Sequence, residues 1–340
     1  MLRYCLTRLA SSVAAILGAS VITFVFLRLV PGNPARLILG PFASDGAVRE
    51  LIASLGLNDS IPAQYWHYLT SFLAGDWGYS QSTGEAVSQA LGDRFPATLE
   101  LGLFAFAVAG CGALLLGLLS AYRPRRAVEA GVQIITAVGL GVPQFWLALL
   151  ALMVLSQDLG LFPGPDGRLG SGVTPPPQIT GLYTVDALLA GRPGLFVDAL
   201  WHLVLPGMVL ALTPLAYMTR ILRASLFEVR HEPYMMVVEG KGVSPRATYL
   251  KHAFPNAAVP LLTSAGLVFG QLIGGSVLVE VVFRWPGIGA LVTDSVLQQD
   301  YSVVQVFILL SAVAYVVINL LVDWLAARID PRQALRTPAA

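Results

Sequence analysis

Six stretches of this 340-residue chain run for about 20 residues or more with at most one charged side chain each. That is the length an α-helix needs to cross a hydrocarbon layer ~30 Å thick. The stretches are Leu9–Val30 with Arg28 near its end, Ala97–Leu119 with Glu100 near its start, and the uncharged Gly131–Leu155 with Pro143 inside. They continue with Trp201–Leu222 (Pro206, Pro214 and Arg220 inside), Ala257–Phe283 (Glu280 near its end) and Val303–Ala327 (Asp323 near its end). Each is apolar all round rather than along one stripe, which excludes surface helices of a soluble domain. The reading is an all-α integral membrane protein with six transmembrane helices.

Composition agrees. Charged residues are 12% of the chain, against roughly 25% in a soluble domain, too few to cover a water-exposed surface. The net charge of +1 gives no basic field for nucleic acid. Cys5 and Cys111 do not make a disulfide framework. Arg3 and Arg8 resemble the n-region of a signal peptide, but the apolar run behind them is too long and lacks a small-residue cleavage site, so it reads as an uncleaved anchor.

Lysine and arginine set the orientation. Arg3 and Arg8, then Arg123, Arg125 and Arg126, then Arg220, Arg223, Arg230, Lys241, Arg246 and Lys251, then Arg328, Arg332 and Arg336 all fall on one side, 14 of the 21 basic residues. Both termini are therefore expected in the cytoplasm. The long outside connections are Pro31–Pro96, with an amphipathic helix expected from Ser60 to Leu69, and the Gly/Pro-rich Ser156–Leu200, expected to be an extended cover.

Several chemistries have no residues to carry them. Glu239-Gly-Lys-Gly242 lacks the upstream glycine and the hydroxyl residue of a phosphate-cradling loop. His67, His202, His231 and His252 are scattered and show no metal-ligand spacing. No Gly-x-Ser-x-Gly nucleophile elbow occurs. Arg28, Glu100, Glu280 and Asp323 lie within a turn or two of a helix end and read as side chains snorkelling to the interface. A stand-alone secondary transporter or channel would need midplane ionisable groups or inverted repeats, and the sequence has neither.

The segment between the fourth and fifth runs is polar, basic and too long for a turn. Helix formers run from Ala224 to Val238, Gly242 permits a reversal with positive φ, and Ser244-Pro245 opens a second helix that Pro255 should end. The expected unit is a helix–turn–helix knob offered to a soluble partner. Helix five carries Gly266, Gly270 and Gly274 at four-residue spacing, which suits close helix packing within the chain or at a subunit seam. Pro143 and Pro206 free backbone carbonyls, to line a path or merely to kink the bundle.

The stretch Tyr234…Lys241-Gly242-Val-Ser…His252-Ala-Phe-Pro-Asn256-Ala…Pro260 resembles the coupling (EAA) loop of ABC-importer permeases, in particular the B-type subunit of the dipeptide/oligopeptide/nickel importers. Leu29-Val-Pro-Gly-Asn-Pro34, Gly75-Asp-Trp-Gly78, Gly141-Val-Pro-Gln-Phe-Trp146, His202-Leu-Val-Leu-Pro206, Val279-Glu280…Trp285-Pro-Gly-Ile-Gly289, Asp300-Tyr301 and Asp330-Pro331 extend the resemblance over nearly the whole chain. The coupling frame departs from the family's Arg-Thr-Ala-Arg-Ala-Lys-Gly, reading Met236-Val-Val-Glu-Gly-Lys-Gly242. A partner with compensating charge and a degraded gene are both open explanations.

The resemblance implies a type I ABC importer (MetI-like) permease fold. Residues 1–96 would form an N-terminal helix and extracytoplasmic segment, 97–330 a five-helix core with coupling loop 223–258, and 331–340 a cytoplasmic tail. It implies a non-catalytic subunit of the inner membrane that works with a second permease subunit, two cytoplasmic ATPases and an extracytoplasmic solute-binding protein. ATP and magnesium would be held by the ATPases and no cofactor by this chain. Tyr234, Glu239, Lys241, Gly242, His252 and Asn256 would serve ATPase coupling. Pro143, Pro206, Gly266, Gly270 and Gly274 would serve packing or the path.

The topology is directly testable. In a chain lacking Cys5 and Cys111, single cysteines placed beside Arg125 and beside Pro176 should label from opposite sides with an impermeant thiol reagent. Labelling of both from outside overturns the arrangement.

Overall fold

Backbone groups buried in lipid can bond only within their own helix, and the described residues are accordingly mostly helical. The computed structural model describes residues 2–29, 43–54, 56, 58–122 and 126–329. In chain order the elements are α1 (Leu2–Leu29), α2 (Asp45–Ser54), α3 (Ile61–Ala74), β1 (Tyr79–Ser80), β2 (Glu85–Ala86), α4 (Val87–Tyr122), α5 (Arg126–Gly141) and α6 (Gln144–Ala151). A π-helical segment π1 (Leu152–Asp158) continues α6, followed by α7 (Tyr183–Leu189), α8 (Pro193–Arg230) and α9 (Pro233–Gly240). Then come α10 (Pro245–Ala247), π2 (Thr248–Ala253), α11 (Phe254–Gly275), α12 (Val277–Val282), α13 (Ile288–Leu297) and α14 (Tyr301–Ile329).

Among the described residues, four helices are long and apolar enough to span a membrane: Val87–Ala121, Pro193–Arg230, the continuous Pro245–Leu272 and Tyr301–Leu321. The first apolar run lies on α1. The third does not form the single helix expected of it. It breaks at Pro143, and the chain bends by 111° between the two arms, Arg126–Gly141 and Gln144–Asp158. Proline disfavours helical geometry in the residue before it, and Pro143 itself takes an extended ψ of 132° as it opens α6. The fifth run is also divided, with Ser276 between α11 and α12. The outer segment 156–200 is not wholly extended, because it carries α7 and the first turns of α8.

One compact unit is built on Pro96–Gly289 and the chain from Val317. Its spine is α8, which packs against α5, α6, α7 and α11. Close approach is bought with glycine: a Cβ on Gly139 would lie 2.7 Å from Ala216 Cβ and 2.7 Å from the Leu212 carbonyl oxygen. Gly112 and Gly117 likewise leave room for Leu215 and Leu222. The same unit holds a polar clasp. Glu280 is 0% exposed, and its Oε1 accepts hydrogen bonds from Thr98 Oγ1 (2.8 Å) and Ser276 Oγ (2.7 Å). Trp285, also buried, donates its indole N–H to the Ala97 carbonyl at 2.8 Å. The Ile288 amide donates to Thr98 Oγ1 at 2.8 Å. Gly287 and Gly289 bring the loop over the carboxylate. A Cβ on Gly287 would lie 2.5 Å from Glu280 Cδ and from Thr98 Oγ1, and one on Gly289 would lie 2.7 Å from Val277 Cα.

The second unit is built on Leu2–Phe95 and Ala290–Val316. Helix α3 lies where an amphipathic helix was expected. It starts after Ser60, with Pro62 in its first turn, and ends at Gly75, whose φ of +79° turns the chain out of the helix. Phe24 of α1 packs edge-on against Tyr65 with ring centroids 5.2 Å apart, and Ser20 Oγ is 2.7 Å from the Tyr65 hydroxyl. The β1–β2 hairpin pairs Tyr79 with Ala86 and Ser80 with Glu85. Buried Asp300 holds the turn of that hairpin, its Oδ2 accepting from Ser80 Oγ (2.7 Å), the Ser82 amide (3.0 Å) and Ser82 Oγ (3.0 Å).

The clasp gives a paired test. Gly287→Ala overpacks the carboxylate site and should cost about 1–3 kcal/mol, lowering the melting temperature of the purified protein in detergent. Gly131→Ala, inside α5 with nothing within 4 Å of the new Cβ, should be neutral or stabilising by about 0.4–1 kcal/mol. Equal melting of Gly287→Ala and the wild type would show that the loop does not clasp Glu280.

Candidate functional site

The knob between the fourth and fifth apolar runs is built by prolines and one glycine. Helix α8 continues to Arg230, and the chain breaks at His231-Glu232, where Glu232 is extended (φ −69°, ψ 141°) ahead of Pro233. The single helix expected from Ala224 to Val238 is therefore two. Helix α9 ends with the Lys241 amide on the Val237 carbonyl (3.1 Å) and the Gly242 amide on the Glu239 carbonyl (3.0 Å). Gly242 then takes φ +73°, as its residue type foretold. A Cβ there would meet nothing within 4 Å, so glycine is needed for its backbone freedom and not for space.

Ser244 stands at the N-cap of the next helix, with Pro245 in its first turn. Pro255 does not end that helix. The chain passes without interruption from α10 through π2 into α11. The wider π turn lies just before the proline, where the hydrogen-bond ladder shifts register and the missing N–H does least harm.

Three of the residues singled out in sequence meet in space. The Tyr234 hydroxyl donates to the His252 carbonyl (3.2 Å) and accepts from Asn256 Nδ2 (2.9 Å), which also donates to the His252 carbonyl (3.0 Å). This latch ties α9 to the start of the long helix, and the neighbouring Met235 is buried in the hydrophobic core. The outward face carries Met236 and Val237, 67% and 58% exposed, with Glu239, Lys241 and Gly242 also exposed. Of the packing residues, Pro206 and Gly266 are buried, Gly270 is half-buried, and Pro143 and Gly274 are exposed.

The acidic groups near the helix ends behave differently from the snorkelling expected. Glu100 and Glu280 are buried. Glu100 Oε2 accepts from Arg168 Nη2 at 2.5 Å, and its Oε1 accepts from the Thr184 amide (2.8 Å) and hydroxyl (2.7 Å). Arg168 also donates to the Gly181 carbonyl at 2.7 Å and lies 3.5 Å from the Tyr183 ring centroid. Burial of a charge is tolerable only with such pairing and hydrogen bonding. Arg28 and Asp323 have side chains outside the described residues. Sequence reasoning passed over Arg168, Thr98 and Asp186. The only signal was an apolar-run carboxylate without a partner nearby in sequence.

Asp186, buried in the outer segment, caps the chain around it. Burial raises its carboxyl pKa, but hydrogen bonds from the Thr180 hydroxyl and from the Thr180, Gly181 and Ile179 amides outweigh it and hold the group below the usual carboxylate range. Among the described residues no cluster of His, Cys, Asp or Glu has the arrangement of a metal site.

Residues 113–335 match the family described as binding-protein-dependent transport system inner membrane component, and residues 1–102 match the N-terminal model of such membrane components. The chain is similar to a probable D,D-dipeptide transport system permease protein of Escherichia coli K12, 39% identical over 320 residues and 94% of each chain. It is also similar to a dipeptide transport system permease protein of Alkalihalophilus pseudofirmus, 37% identical over 98% of this chain and 99% of that one. A di/tripeptide transport system permease protein of Pseudomonas aeruginosa is 37% identical over 98% of both.

The Asp186 cap predicts a pH response. A depressed folded-state pKa contributes stability that is full above the unfolded value, ~3.9, and is lost as pH falls through the lower folded value. Hydrogen-exchange protection factors at Ile179, Thr180 and Gly181 should therefore be equal at pH 7 and pH 5 and fall only below about pH 4. Asp186→Asn should lower them at pH 7 and pH 5, with the difference from the wild type closing at low pH; unchanged protection in that variant at pH 7 would show that the carboxylate is not the cap.

Proposed function

As the chain belongs to the family of binding-protein-dependent transport system inner membrane components, we propose that it is the B-type permease subunit of an ATP-driven importer of small peptides. Matches to peptide permeases over nearly the full length of both chains support the substrate class. The knob is the observation that carries the mechanism. It exposes Met236 and Val237 on a short helix held at a fixed angle by the Gly242 turn and the Tyr234–Asn256 latch. Two such side chains seated in a groove of a cytoplasmic ATPase would contribute about 1.5–3 kcal/mol each, enough to make the knob follow the groove.

In this reading the full importer has a second permease subunit, two ATPase subunits that hold ATP and magnesium, and an extracytoplasmic solute-binding protein. The chain sits in a bacterial or archaeal inner membrane with both termini in the cytoplasm, as the distribution of Lys and Arg supports. Closure of the ATPases moves the knob, and the helices beyond it switch as rigid bodies between two arrangements. Pro143, Pro206 and the Gly266–Gly270–Gly274 stripe would shape the path and its seam with the second permease. Arg168, Glu100 and Asp186 brace the outer segment on which the binding protein would dock. Against a stand-alone secondary transporter stands the state of the acids: Glu100 is neutralised by Arg168, and Glu280 is enclosed by Thr98 and Ser276. Neither is placed to load and release an ion.

Gly242→Val tests the coupling. The strain of a β-branched residue at φ +73° is about 1–3 kcal/mol, confined to the knob. The variant importer should assemble in the membrane yet lose peptide uptake and substrate-stimulated ATP hydrolysis, measured in proteoliposomes. Wild-type uptake by Gly242→Val would remove the knob from the mechanism. Glu239→Arg should weaken ATPase docking, and a charge reversal on the facing ATPase residue should restore it.

A further inference from the structure

The end of α8 that leads into the knob carries a second feature, unrelated to peptide passage. A cavity of about 500 Å³ opens there, lined by Arg220, Arg223, Arg230, Glu129, Phe227 and Tyr249 among others. Arg220, Arg223, Phe227 and Arg230 recur at three- and four-residue spacing, so one face of the helix presents all of them. Among the described residues one of these guanidinia is paired with a carboxylate: Arg223 Nη2 meets Glu129 Oε1 at 3.2 Å. Among the described residues no carboxylate pairs with Arg220 or Arg230. Each instead lies near an aromatic ring, Arg220 with its Cζ 5.9 Å from the Tyr217 centroid and Arg230 6.0 Å from that of Tyr249. The cavity therefore holds three cations against one anion, with both unpaired guanidinia steered by aromatic faces.

We infer that this cavity binds a phosphate-bearing anion, supplied by the headgroup of an anionic membrane lipid. A guanidinium presents a planar fork of donors that matches phosphate oxygens, and Arg220 and Arg230 both line this one cavity. Depth selects the lipid as the source. The apolar run of α8 ends at Leu222, so Arg220 and Arg223 stand at the rim of the hydrocarbon, where the polar layer is about 5–7 Å thick. Phe227, 67% exposed at the mouth, offers an apolar wall to the glycerol and first methylenes. Basic pockets of this kind on the cytoplasmic face attract anionic headgroups. The inference does not depend on what the importer carries.

Native mass spectrometry of the intact chain, titrated with dioleoyl-phosphatidylglycerol, tests it. One saturable lipid should bind, with phosphatidylcholine much weaker. The double variant Arg220→Gln/Arg230→Gln should bind about tenfold or more weakly. Arg126→Gln, which removes an exposed charge outside the cavity, should bind like the wild type. Glu129→Gln frees Arg223 and should tighten binding severalfold, a gain that a misfolded chain cannot show. Millimolar inorganic phosphate should fail to displace the lipid; displacement would overturn the lipid as source and leave a free phosphate site. Undiminished binding in the double variant, equal loss in Arg126→Gln, or no gain in Glu129→Gln would each overturn the cavity as the site.

Discussion

A single buried carboxylate organises the core unit. Glu280 lies with no exposure in a chain made for hydrocarbon, where an unsatisfied charge would cost several kcal/mol. Its requirements explain residues otherwise unconnected in sequence. Thr98 and Ser276 supply hydroxyls, and the Thr98 oxygen in turn receives the Ile288 amide. Trp285 anchors to the first turns of α4 through the Ala97 carbonyl. Gly287 and Gly289 are small because any Cβ would occupy the space of the carboxylate or of Val277. Removing the acid would leave a set of hydroxyls and a close-fitting loop with nothing to enclose.

Much of the helical layout was legible from hydrophobicity, and the reasons for the exceptions are physical. An apolar run marks where a helix meets lipid and says little about where the helix ends. Helix α4 therefore begins at Val87 and α8 at Pro193, well before their apolar cores. Proline was informative but ambiguous. Pro143 bends the chain by 111° and Pro233 starts a new helix, whereas Pro255 is absorbed by the π turn before it. Sequence alone does not show which relief each proline finds. The buried pairs were illegible for another reason: Arg168 lies 68 residues from Glu100, and only folding brings the pair together.

The candidate knob was read more fully than the core. Gly242 was identified from its residue type and takes the positive φ that type permits. Tyr234, His252 and Asn256 were named separately by resemblance, and the structure supplies their relation, a latch between two helices. What could not be read was direction. Met235 and Met236 are chemically alike and adjacent, yet one is buried and the other is 67% exposed.

The uninterrupted passage from α10 through π2 into α11 has a mechanical consequence. The span Pro245–Leu272 holds 28 residues and is therefore roughly 40 Å long at ~1.5 Å per residue. It is one continuous helical span with the knob fastened to one end. A tilt of only about 5° at that end carries the opposite end sideways by roughly 3–4 Å. The joint at Glu232 lies on the other side of the knob, between α8 and α9, so in the proposed mechanism motion received at the knob would bend the chain away from α8 and pass into this span. In that mechanism a small stroke at the surface would become a displacement of atomic size at the far side, without any helix having to melt.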